Sequence, residues 1–188
     1  MIRSGLVLAA LSTSAALSAQ RPPEYPDAVP QFLKACAAGD LTAAAREASI
    51  AADNGWTVEP VSVDVEKFNL SGAIERNFDF SKPLSVKQWS RTVDGVPMRL
   101  VLATFPEKRR YPVLCSLVVP NVQHGWPYDD AFEAGVKAIG LKGKSTDLPH
   151  YFEYSGKVDG GKHPVRAEVS GRTRVVPDKN AMHLYIAF

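Results

Sequence analysis

Two stretches of this chain repeat each other in turn chemistry. "WSRTVDGVPMR" runs from Trp89 to Arg99, and "YSGKVDGGKHPVR" runs from Tyr154 to Arg166. Each has an aromatic residue, Ser, two variable residues and Val-Asp-Gly, followed by Pro, an apolar residue and Arg. Asp-Gly between apolar stretches is a strong hairpin signal, because Gly accepts the positive φ that a primed turn needs. The echo continues to the next turn, where "FPEKR" (Phe105–Arg109) matches "VPDKN" (Val176–Asn180). Both stretches therefore read as strand, Asp-Gly turn, strand, Pro-acid-Lys turn, strand. A chain written this way folds as antiparallel hairpins.

Period-two alternation assigns faces to these strands. Aligning on the turns pairs Met98 with Val165, Leu100 with Ala167 and Leu102 with Val169 on one face. Arg99 pairs with Arg166, and Val101 with Glu168, on the other. On the third strands, Val113, Cys115 and Leu117 pair with Leu184, Ile186 and Phe188. The apolar set faces a core, so Cys115 is expected there.

The other cysteine, Cys36, lies in a helical pattern. Phe32, Leu33 and Cys36 share one face at i, i+1 and i+4, Gly39 reads as the stop, and Asp40 as the next N-cap. Leu41, Ala44, Ala45, Ala48 and Ala52 read as the apolar stripe of a second helix, closed by Asn54-Gly55. A helix packed on the sheet would bring Cys36 to Cys115, so the two are expected to form a disulfide. Closing a loop of 79 residues stabilises by roughly 4 kcal/mol in the chain-entropy model.

Compartment agrees with this pairing. Residues 1–20, "MIRSGLVLAALSTSAALSAQ", hold one early Arg, then an apolar run ending in small residues. This is the pattern of a secretory signal peptide, assigned to residues 1–19, with cleavage after Ala16 or Ala19. The expected location is the periplasm or the secreted fraction, with no stable membrane insertion after cleavage. "RPPEYPDAVP" (Arg21–Pro30) carries four prolines in ten residues. It reads as an extended arm over 20–30 leading to a single domain over 31–188.

Two further regions complete the fold reading. Val61, Val63 and Val65 alternate as a strand. "HGWPYDDAFEAGVKAIG" (His124–Gly140) reads as a helix with Pro127 in its first turn, acids at its positive end, and Phe132, Val136 and Ile139 buried. The expected fold is α+β, with helices packed on an antiparallel sheet of about six strands, read as two related α-β-β-β halves.

Charge excludes some functions. The full chain has 22 basic and 20 acidic residues. So balanced a chain sets up no field that would recruit nucleic acid. The densest basic spot, "EKRR" (Glu107–Arg110), reads as a solvated turn.

Catalytic motifs are absent. There is no G-x-S-x-G, Walker loop, H-E-x-x-H, EF-hand loop or C-x-x-C. None of His124, His150, His163 and His183 has a second ligand at metal-binding spacing, so no metal or other cofactor is expected. The most chemically mixed loop is "HGWPYDD", where His124 with Asp129 or Asp130 is the candidate acid/base pair. Candidate binding residues come from the repeat: Arg99 and Arg166 for an anion, Trp89 and Tyr154 for stacking. Ser90 and Ser155 have no local group to activate them as nucleophiles.

"FLKACAAGDLTAAAREASIAADNGW" (Phe32–Trp56) resembles the opening of small exported proteobacterial proteins. In those, F-x-x-x-C begins a helical stretch ending in Gly-Trp, and a second Cys follows in a strand-rich part. Phe32, Cys36, Gly55, Trp56 and Cys115 carry the resemblance. It implies an exported domain and supplies no catalytic residues.

The leading functional expectation is an exported, non-enzymatic binding or interaction module. Its partner would be an envelope protein, a peptide or a small molecule. One alternative is a small cofactor-free hydrolase or isomerase with a site near His124, Asp129 and Asp130. The other is a structural cell-envelope protein.

Overall fold

The structure is a computed structural model. It describes residues 26–53, 55–61, 83–93, 95–120, 122, 126–145, 151–158, 163–171 and 182–188. The expected signal peptide, most of the expected proline-rich arm, Val63, Val65, His124, His150 and residues Asp159–Lys162, where a turn is expected, lie outside these residues.

The fold is α+β. Two helices open the chain, α1 (Ala28–Ala37) and α2 (Ala43–Ala52). Four strands follow: β1 (Thr57–Glu59), β2 (Ser85–Val93), β3 (Val96–Thr104) and β4 (Val113–Val119). Helix α3 (Trp126–Ala138) then leads to β5 (Lys142–Ser145), β6 (Tyr151–Val158), β7 (His163–Gly171) and β8 (Met182–Ala187). All eight strands form one antiparallel sheet in the order β1-β2-β3-β4-β8-β7-β6-β5. Sequential hairpins thus lie side by side, and β4 meets β8 at the centre.

The hairpins form as their turns dictate. Val93 pairs with Val96 across Asp94-Gly95, and Gly95 has φ +81°. Apolar residues of each strand face the helices: Met98, Leu100 and Leu102 of β3, Val113, Cys115 and Leu117 of β4, and Leu184 and Ile186 of β8, with Phe188 just beyond it. These pack with Val29, Phe32 and Leu33 of α1, Ile50 of α2 and Tyr128, Phe132 and Val136 of α3 into one core. Helix α1 crosses α3 closely at Gly135. A Cβ there would lie 2.0 Å from Leu33 Cδ1, so the Leu33 side chain occupies the space that a larger residue at 135 would need.

Cys36 and Cys115 form a disulfide, with Cα atoms 5.8 Å apart. It ties α1 to the central strand β4. Cys115 stands directly opposite Ile186, its partner in the sequence alignment.

Several expectations are corrected. The sheet has eight strands rather than about six. The first described strand is Thr57–Glu59; Val61 is outside it, and Val63 and Val65 lie outside the described residues. Strand β5, "KGKS", carries no alternating apolar signal. The final residues of the expected arm, Ala28–Pro30, belong to α1, because Pro lacks only an N–H that the first helical turn leaves unused. The cap of α2 is Thr42, whose hydroxyl accepts from the Ala45 N–H at 3.2 Å; Asp40 instead accepts from the Thr42 N–H. Ala44, Ala48 and Ala52 are exposed, while Arg46 and Ile50 are buried. Alanine has too little apolar surface to decide which side of a helix is buried; Ile50 decides it.

The pairing of β3 with β7 by turn alignment is also shifted. Leu102 lies opposite Cys115, and Ala167 opposite Ile186. If Cys115 matches Ile186, then Leu102 matches Ala167, two residues from the expected Val169. The reason is loop length. Two residues separate Val93 from Val96, whereas four separate Val158 from His163. A two-residue slip keeps every side chain on its face, so the face assignments survive it.

Candidate functional site

In an antiparallel sheet with helices on one side, the other side is expected to be polar and solvated. Here both faces of β4 and β8 are buried. The helix-free face divides into two zones. Towards the β3–β4 turn it is apolar, with Ala103, Phe105, Tyr111, Leu114, Tyr185 and Ala187 in a second cluster. Further along it is polar, and this zone is the candidate site.

The register builds the zone directly. One cross-strand row runs Gln88, Val101, Ser116, Tyr185, Glu168, Glu153. The neighbouring row runs Ser90, Arg99, Val118, His183, Ser170. Ser116 and His183 are 0 % exposed, and Gln88 is 3 % exposed. Ser116 faces Tyr185 across the ladder and His183 on the diagonal, within reach of long side chains. The His183 ring stacks on Tyr185 at 6.0 Å between centroids.

Electrostatics fix the state of His183. Burial is the larger cause and the Arg99 charge the smaller; both hold its pKa well below 6.5. The imidazole is therefore neutral at pH 7, with one nitrogen able to donate and one to accept. At the flanks, Ser90 donates to Glu59, and Gln88 Nε2 donates to Glu59 at 3.4 Å. On the far side, Arg166 pairs with Glu153 at 2.8 Å.

The candidates read from the sequence separate. Arg99 and Arg166 share the helix-free face, but Arg99 lies in the row of Ser170, four residues along β7 from Arg166. Trp89 and Tyr154 lie on the opposite face, buried against the helices. A single ligand cannot stack on those rings and meet both guanidinium groups through the sheet. On α3, Asp129 is buried and Asp130 exposed, as the turn of about 100° per residue on a helix dictates. His124 lies outside the described residues.

Asp129 has a different neighbour. Burial first, then Glu133 and Asp129, push the Tyr154 phenol up to about 12. Its ring meets Phe132 edge-on at 6.0 Å and rests on the Gly143 backbone, where a Cβ would lie 2.3 Å from Cε1. Tyr154 is thus a neutral phenol in a packed corner, suited neither to proton abstraction nor to stacking. Among the described residues no cluster of His, Cys, Asp or Glu is placed to hold a metal.

Two structural arrangements went unread in the sequence. Arg46 is buried and donates to the carbonyls of Ala35 (3.1 Å) and Asp40 (2.6 Å), closing the end of α1 with a side chain from α2. The Gly55-Trp56 pair fits beneath Arg91. That guanidinium lies over the Trp56 ring at 5.9 Å, contacts the Gly55 position and pairs with Asp53 at 3.3 Å. Gly-Trp here is a helix-to-sheet junction.

No family model, curated protein or solved structure matches this chain.

Proposed function

We propose that this protein is an exported, non-enzymatic binding module whose ligand site is the polar zone of the helix-free sheet face. The observation that carries this reading is the burial of Gln88, Ser116 and His183 on that face, with Arg99 in the same row as His183. Polar groups at low dielectric interact strongly and with defined geometry, and a few such groups in a mostly apolar surround are how specific sites orient small molecules. A neutral imidazole, a hydroxyl and an amide favour a polar ligand such as a small molecule or a peptide backbone.

Export is part of the proposal. It is supported by the apolar N-terminal run and by the Cys36–Cys115 disulfide, a bond that persists in oxidising compartments. The periplasm or the secreted fraction is the proposed location. We also read the fold as two related halves, α1–β4 and α3–β8. The support is the sheet order, in which β1-β2-β3-β4 meets β8-β7-β6-β5 so that each half adds its four strands in sequence outward from the central β4–β8 pair.

The test is native mass spectrometry of the protein purified from the exported fraction. The expected result is a bound mass that is lost in Ser116→Leu and in Arg99→Ala while the disulfide stays intact. Unliganded protein in every preparation, or an identical bound mass in both variants, would sink the proposal.

A further inference from the structure

Arg46, Arg91 and Arg166 are each matched to oxygen acceptors. Arg46 donates to the carbonyls of Ala35 and Asp40. Arg91 pairs with Asp53, and Arg166 with Glu153. Arg99 differs. It is half-buried on the helix-free face, and among the described residues no carboxylate or carbonyl receives its N–H groups. Its charge acts instead on His183, a buried and neutral ring.

The surroundings of Arg99 make this notable. In its row it stands between Ser90 and Val118, and Gln88, Val101 and Ser116 form the next row on the same face. Val101 is 1 % exposed and Val118 6 % exposed, so apolar side chains replace water around its strand position. A guanidinium stays charged at any physiological pH, and drawing it partly out of water without a counter-charge costs free energy. Glu59, at the edge of this zone, accepts from Ser90 and Gln88 instead.

We propose that the polar zone binds a carboxylate, held by Arg99 through two parallel N–H···O bonds. This rests on the reading of that zone as the ligand site and names the group recognised there. The fork of a guanidinium matches the two oxygens of a carboxylate, and the low local dielectric strengthens the pair. Charge selects a monoanion. Arg99 brings one positive charge, and Glu59 is joined to Ser90, the residue directly opposite Arg99. A phosphate dianion would carry one charge too many and meet a carboxylate beside it. A free acid and the C-terminus of a peptide present the same group, so the carboxylate is the recognised chemistry whichever molecule bears it.

The experiment is native mass spectrometry of the protein purified from the exported fraction. The bound molecule is released by denaturation, and a portion is treated with acidic methanol, which adds a methyl group to each carboxyl. The expected result is a released mass that gains a methyl group, with fragmentation distinguishing a peptide from a small acid. Returned to unliganded protein, the released molecule should bind Arg99→Met at least about tenfold more weakly than wild type. Arg99→Lys should fall between the two, because an ammonium keeps the charge and loses the fork. The methyl ester tests the same contact with no change to the protein, and it too should bind wild type at least about tenfold more weakly. A released mass that gains no methyl group, a molecule that carries phosphate in place of a carboxyl, or undiminished binding of the ester would overturn the carboxylate and leave the binding-module reading in place. A protein without bound mass in every preparation would overturn both.

Discussion

The two faces of the central strands β4 and β8 differ although the same residues alternate between them. Towards the helices stand Cys115, Leu117, Leu184 and Ile186, packed on α1 and α3 and locked by the disulfide. Towards the other side stand Ser116, His183 and Tyr185, equally buried and chemically mixed. Apolar burial of the first kind drives folding. Burying polar groups costs free energy unless each is satisfied, so burial on the second face stabilises less than the same burial on the first.

The first way to break this contrast is at its strongest point. Replacing both cysteines with alanine should lower stability by roughly 4 kcal/mol in the chain-entropy model, read by guanidinium unfolding. A loss below about 1 kcal/mol would mean the bridge adds little to the helix-side face. Next, Leu117→Ala on that face should cost about 2–5 kcal/mol, whereas its neighbour Ser116→Ala should cost about 1 kcal/mol. Equal costs would show that both faces are simply core.

Gly135→Ala probes the α1–α3 crossing. Its methyl group overlaps Leu33, and overpacking of this kind costs about 1–3 kcal/mol. Leu33→Ala in the same chain should cost less than it does alone, because the clash is relieved; a thermal-unfolding double-mutant cycle measures this coupling.

The polar face has its own signature in pH. His183 is neutral in the folded protein, with its pKa held well below 6.5, while the unfolded chain takes up a proton near 6.5. Unfolding therefore binds a proton once pH falls below about 6.5, and stability declines from there at up to about 1.4 kcal/mol per pH unit. The His183→Gln variant should lose this component of the slope. At the other extreme Tyr154, pushed up to about 12, withholds its proton in the folded state. Stability should fall as pH rises from about 10 towards 12, and less so in Tyr154→Phe.

The smallest expected effect is at the Gly-Trp junction. Arg91→Met keeps much of the side-chain packing but removes a partly exposed ion pair and a cation–π contact. It should cost about 1 kcal/mol or less and leave both sheet faces unaltered by amide exchange.

The hairpins were legible because Asp-Gly and alternating Val, Leu and Met act locally. The Cys36–Cys115 bridge was legible because helix and strand periodicity put both on apolar faces. Strand β5 was not, since "KGKS" joins the sheet only through β6, with the Tyr154 ring over Gly143. Buried Arg46 reads as a surface residue until α1 supplies carbonyls to receive it. For the candidate site, the sequence offered Arg99 and Arg166 but misassigned their rings, because a turn motif places Trp89 and Arg99 together without saying that they leave opposite faces.

His183, Tyr185 and Ser116 mark the boundary between the two levels. By itself the sequence determined that they alternate with core residues, because side-chain direction in a strand has period two. Only the tertiary structure decided that β4 and β8 meet in the middle of the sheet, where both faces are buried. A position that alternation assigns to water is thereby taken out of water, because burial depends on which strands become neighbours, and those strands are far apart along the chain.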